Sequence, residues 1–211
     1  MSWDPSDGGK RRSYHHGNLR EALIEAALQL VREKGPAGFT IAEAARAAGV
    51  SPAAPYRHFR DRDELMADVA KRGFDQFAAA LRLAWDQGRP KPLAALNRLG
   101  VAYLAFARDH TATYTAMFES GLRIGAYPQL AAASDEAFGV LRGACEAVIA
   151  TLPAGRRPPA LMMALHIWSL SHGTASLFGR GDDSRRPVPM KPEELLEAAV
   201  LIYVDGLAAG A

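Results

Sequence analysis

Cysteine is almost missing from this sequence: Cys145 stands alone among 211 residues. One thiol forms no internal disulfide and builds no metal centre by itself. There is no run of roughly 18 uncharged apolar residues, the length a membrane-spanning helix needs. Residues 1–10 lack the apolar stretch of a secretory leader. Strand-like alternation of useful length and internal repeats are absent, as are a Gly-rich phosphate loop and a His-x-x-x-His pair beside an acid. No Ser or Cys stands near a credible base. These gaps argue against secreted, membrane-embedded and enzymatic classes, and predict a cytoplasmic chain with no catalytic residues, no metal and no cofactor.

Hydrophobic residues make up 49% of the chain and charged ones 23%, enough for a sizeable interior under an ordinary polar surface. The net charge is only +2, but it is unevenly spread. Residues 10–62 carry ten Lys/Arg against five Asp/Glu, whereas the remainder is slightly negative. A cationic first third suits a phosphate partner. On charge alone an ordinary solvated face stays an open alternative.

Residues 1–13 combine Gly, Pro and Ser with Lys10-Arg11-Arg12 and predict a flexible basic arm. Either it reaches a neighbouring groove or it is a solvated tail. From Asn18, a suitable N-cap, Leu19, Leu23, Ala26, Ala27, Leu30 and Val31 recur at helical spacing until Gly35-Pro36. Thr40 with Glu43 forms a capping-box pair before a short helix carrying Ile41, Ala44, Ala45 and Ala48, which Gly49 ends. Ser51 is the next expected cap, with Pro52 at the first helical position. Pro55 is the odd residue of that segment and is expected to face inward. Asp61 and Glu64 open a long fourth helix that runs to Gly88-Arg89-Pro90. Further helices are expected near 92–109, 112–121, 128–151, 159–178 and 192–208, about nine in all. Arg180-Gly181-Asp182, in the Gly/Pro-rich stretch 179–192, is read as coincidence.

Thr40 to Phe59 is the most informative stretch. Two short capped helices joined by Gly49-Val50-Ser51 have the layout of a DNA-reading helix pair. Gly49 supplies the left-handed backbone of the turn, and Ile41, Val50 and Phe59 form the apolar wedge between the helices. On pattern alone, Tyr56 and Phe59 also fit a plain helical core.

Three runs carry a resemblance: Tyr14-His15-His16-Gly17-Asn18-Leu19-Arg20, then Thr40-Ile41 with Ala45 and Ala48-Gly49-Val50-Ser51, then Ala54-Pro55-Tyr56-Arg57-His58-Phe59 with Asp61-Arg62 and Leu65. In order and spacing, residues 14–70 resemble the tetracycline-repressor (TetR) family. Trp168 with His172-Gly173 is similar to the Trp-His-Gly motif of one C-terminal subgroup of that family. The resemblance implies an all-α chain: a three-helix helix-turn-helix domain over 14–62, then a helical-bundle effector and dimerisation domain over 63–211. It places Thr40, Tyr56 and His58 at phosphate-contacting positions, and Arg62 where the family usually has a phosphate-binding Lys. Ala42, Pro52, Ala53 and Tyr56 would approach base edges, with Ser51 and Arg57 beside them. Those positions hold no Asn, Gln or Arg reader, so readout would rest on thymine methyls, Arg57 and DNA shape.

In 159–178 and 192–208 the apolar residues run nearly all round the helix, and such helices must be covered on all sides. A second copy is the economical cover, which with the resemblance predicts a homodimer on double-stranded operator DNA. Tyr103, Phe106, Tyr114, Met117, Phe118, Phe138, Trp168 and His172 are the candidate lining of a pocket for a small effector; Cys145 is a further polar candidate. The same stripe also fits ordinary core, and His172 a packing role. A ligand-responsive repressor is thus expected. A constitutive DNA-binding protein without effector is the alternative, and a helical enzyme a remote third.

Overall fold

The computed structural model describes residues 19–178 and 189–209. The basic arm, Asn18 with the residues just before it, and the Arg180-Gly181-Asp182 tripeptide lie outside the described residues. Eight α-helices and no strand occur among the described residues. They are α1 (Leu19–Lys34), α2 (Ile41–Ala47), α3 (Arg62–Trp85), α4 (Pro92–Asp109), α5 (Thr111–Phe118), α6 (Pro128–Ala150), α7 (Ala160–Phe178) and α8 (Pro192–Ala209). No helix of the described residues is long and apolar enough to cross a membrane.

The ends of these helices follow local chemistry. The Thr40 side chain accepts from the Glu43 amide at 3.2 Å, and Glu43 accepts from the Thr40 amide at 2.8 Å, a complete capping box. Asp61 accepts from the Glu64 amide at 2.9 Å and starts α3. Gly49, at φ +71°, turns the chain after α2 where a Cβ would be strained.

The third expected helix, the one after Ser51, differs. In place of an α-helix capped by Ser51, Pro52-Ala53 form a turn closed from the Ala54 amide to the Ser51 carbonyl at 3.0 Å. A short 3-10 segment, Ala54–Arg57, follows, and no side chain caps it. Proline supplies the reason: neither Pro52 nor Pro55 has an N–H to donate back along an α-helix. The tighter winding closes instead on the Pro55 carbonyl, which accepts from the His58 and Phe59 amides at 2.9 and 3.0 Å. Pro55 itself is fully buried, as its odd place in the segment suggested.

Two apolar cores share α3. The first joins Leu23, Leu30, Phe39, Ile41 and Phe59 with Leu65, Met66 and Val69 from the first two turns of α3. The second takes Phe74, Phe77 and Leu81 farther along the same helix, with residues of α4, α6, α7 and α8. α5 also belongs to both: Ala116 is buried in the first, Tyr114 and Met117 in the second. Close approach of α3 and α5 requires Gly73, where a Cβ would come within 2.8 Å of Met117 and Thr113.

Candidate nucleic-acid interface and effector cavity

The 3-10 segment stands outward on the first core. Pro55 and Phe59 point in and anchor it, while Ser51, Pro52, Ala53, Tyr56, Arg57 and His58 are exposed, Tyr56 to 59%. Among the described residues, the Tyr56 and Arg57 side chains have no hydrogen-bond or ion-pair partner, which leaves a phenol and a guanidinium free for an outside acceptor. Ala42 is half-buried on α2, and Thr40 is exposed at its N-terminus. The Glu43 carboxyl is lowered to about 2, first by its 2.7 Å bond to Lys34 and then by the Thr40 amide. The start of α2 is thereby fixed.

Arg62 is placed differently from a free surface cation. Its guanidinium lies 5.0 Å from the centre of the Phe39 ring, and Nη1 donates to Asp63 at 2.7 Å. Nε and Nη2 are buried with no hydrogen-bond partner. Arg60, a position the sequence did not single out, is more exposed and is held by Glu64.

In the second core, a cavity of ≈ 210 Å³ opens between α3, α4, α6 and α7 and the end of α5. Of the eight expected lining residues it takes Tyr103, Phe118, Phe138 and Trp168. Phe74, Phe77, Ser134 and Asp135 join them without having been foreseen as lining. Their signal was present, since Phe74 and Phe77 share the buried face of α3. Phe106 instead packs on Phe77, with ring centres 5.0 Å apart, and Met117 lies against Gly73. Tyr114 and His172 stand one layer back, bonded to the cavity wall. The Tyr103 hydroxyl is 3.2 Å from that of Tyr114, and the two lie 3.0 and 2.8 Å from His172 Nδ1. Burial pushes Tyr114 up to about 12, raises Tyr103, and lowers His172. All three are therefore neutral donors and acceptors near pH 7. Cys145 is on the buried face of α6 and its thiol is pushed up to about 12, mainly by desolvation.

A different surface runs along α7 and α8. Leu161, Met162, Leu165 and Leu177 are exposed on α7, and Ile202 on α8 is 74% exposed. Leu165 also lies at the rim of the cavity.

Comparison with known proteins finds two family matches along the chain. Residues 23–69 match the bacterial regulatory proteins, tetR family. Residues 96–203 match the tetracyclin repressor-like, C-terminal domain. The HTH-type transcriptional regulator BetI of Rhizobium meliloti (strain 1021) is 30% identical over 109 residues, 49% of this chain and 52% of that protein. The chain's match thus spans about half the length of that curated relative. A Rhodococcus sp. RHA1 protein of unknown function is 32% identical at a TM-score of 0.75, covering 93% of this chain and 99% of its own. A TetR family transcriptional regulator, PfmR of Thermus thermophilus, is 22% identical at a TM-score of 0.63, covering 89% of this chain and 97% of its own. That last likeness is one of fold alone.

Proposed function

The chain belongs to the tetR family of bacterial regulatory proteins, and from that premise we propose that it is a cytoplasmic transcriptional repressor that grips a palindromic operator as a homodimer. A small, largely apolar effector alters that grip. The observation that carries the DNA-binding part is the outward 3-10 segment, with Tyr56, Arg57 and His58 exposed around two inward anchors, Pro55 and Phe59. Thr40, Tyr56 and His58 meet phosphates; Ala42, Ser51, Pro52, Ala53 and Arg57 lie toward the bases. With few polar readers, specificity leans on apolar contacts and on groove shape.

The cavity supports an effector-responsive protein over a constitutive DNA binder, because it offers a small ligand an aromatic-walled volume with few polar groups. A ligand there touches Phe74 and Phe77 on α3 and Phe118 on α5, the two helices that also enter the core under the DNA-reading segment. An effector that fits one relative placement of these helices better shifts the population toward it. The exposed apolar strip on α7 and α8 is the surface for the second copy.

The test is a gel shift with the duplex upstream of the protein's own gene, at low and moderate salt. Binding that weakens steeply with salt, and a loss of about tenfold or more in Tyr56→Ala with the oligomer intact, supports the reading. Absence of any shift at low ionic strength overturns it.

A further inference from the structure

The walls of the cavity say more about its occupant than its size does. Six aromatic side chains line it: Phe74, Phe77, Tyr103, Phe118, Phe138 and Trp168. They meet one another nearly edge to face, Phe77 with Tyr103 at 83°, Phe74 with Phe118 at 78° and Phe138 with Trp168 at 70°. In each such pair the edge of one ring meets the face of the other, and the faces carry the negative part of the ring quadrupole.

Charge points the same way. Among the described residues no Lys, Arg or His lines the cavity, and its one ionisable carboxylate is Asp135, exposed on α6. The next residue, Glu136, is paired with Arg82, whereas Asp135 has no ion-pair partner among the described residues. Two of the three lining hydroxyls are already engaged, Tyr103 with Tyr114 and His172, and Ser171 with the Ile167 carbonyl at 2.9 Å, which leaves that of Ser134. Recognition is left to the rings, the Ser134 hydroxyl and one carboxylate without an ion-pair partner.

Resting on the reading of this cavity as the effector site, we propose that its ligand class is a compact hydrophobic cation, an aryl- or alkylammonium whose head group sits among the rings and faces Asp135. A buried cation loses its hydration, and aromatic faces with a nearby carboxylate offset that loss. An anion meets the same faces and the same carboxylate with no compensating donor charge. A neutral hydrocarbon fits the walls but gains nothing from Asp135. A dry cavity of about 150 Å³ accepts benzene, so ≈ 210 Å³ admits one ring with a small head group.

Two probes of nearly equal shape isolate the charge: phenyltrimethylammonium and tert-butylbenzene, titrated into the full-length protein by calorimetry or by quenching of tryptophan fluorescence. The expected result is at least tenfold tighter binding of the cation. Asp135→Asn should reduce that preference about tenfold while tert-butylbenzene binds as before. Asp135 is exposed, so the variant keeps its fold, checked by its melting temperature. Equal or tighter binding of the neutral probe, or a preference unchanged in Asp135→Asn, overturns the cationic class and leaves the effector cavity standing. Failure of both probes to bind at millimolar concentration also overturns it. The wider reading fails on a separate outcome: the protein releases or tightens on operator DNA for no ligand at all.

Discussion

The Tyr114 hydroxyl lies 2.8 Å from Nδ1 of His172, and the Tyr103 hydroxyl reaches the same nitrogen at 3.0 Å. Nδ1 of a neutral imidazole has one lone pair, so one phenol donates to it and the other donates to its neighbour's oxygen across 3.2 Å. The triangle works with the His172 proton on Nε2. An imidazolium would turn Nδ1 into a donor and leave one hydroxyl without an acceptor. Burial lowers the His172 pKa in the same sense.

Stability should therefore fall on acidification before the carboxylates titrate. His172 is held neutral, with a folded pKa below its unfolded value of about 6.5. The unfolded chain then binds more protons, so this contribution is complete above about pH 6.5 and is lost as pH drops through the folded value. Melting temperatures from pH 8 to pH 5 should show the decline, and His172→Gln should flatten it. An identical pH profile in the variant would refute the assignment.

Thr40→Ala should destabilise the protein by about 0.5–2 kcal/mol, the usual loss on removing a helix N-cap. It deletes the acceptor for the Glu43 amide and the 3.0 Å bond from Thr40 to the Glu43 carboxylate. Glu43 keeps Lys34 at 2.7 Å, so its carboxyl should rise only part of the way from about 2. Urea unfolding and NMR titration of Glu43 measure the two effects separately.

Gly49→Ala tests the turn itself. At φ +71° a Cβ costs about 1–2 kcal/mol. The strain is relieved by moving the 3-10 segment relative to α2. DNA affinity should fall more than stability does, whereas ligand binding in the distant cavity should be unaffected. Gel shifts beside thermal melts distinguish this from general unfolding.

Helix bounds were readable because their signals are local: caps at Thr40 and Asp61, breakers at Gly35 and Gly88, and apolar residues at helical spacing. The body helices expected at 92–109 and 128–151 come out as Pro92–Asp109 and Pro128–Ala150. What escaped depends on partners distant in sequence or on competing local terms. At Pro52 and Pro55 a good capping pattern yields to two missing donors. The ring on which Arg62 lies belongs to Phe39, 23 residues earlier, a contact that no local spacing announces. Asp135 and Ser134 reach the cavity through the packing of α6 on α3, and no spacing within α6 announces that.

The strip on α7 and α8 leads to a prediction about assembly. Leu161, Met162, Leu165 and Ile202 expose apolar surface that water disfavours at about 25 cal/mol per Å². A stable dimer buries about 1,200–2,000 Å² in total, which two facing helices from each copy supply. Ile202 is 74% exposed in the single chain, so Ile202→Arg disturbs little within the protomer but buries an unpaired charge in the interface. Light scattering should then report half the wild-type mass, with the melting of the isolated fold largely kept. Operator affinity should drop by about a hundredfold or more, because a lone head keeps its half-site and loses the tethered second contact. A variant that stays dimeric, or a wild type that is already monomeric, would show that the strip serves another purpose.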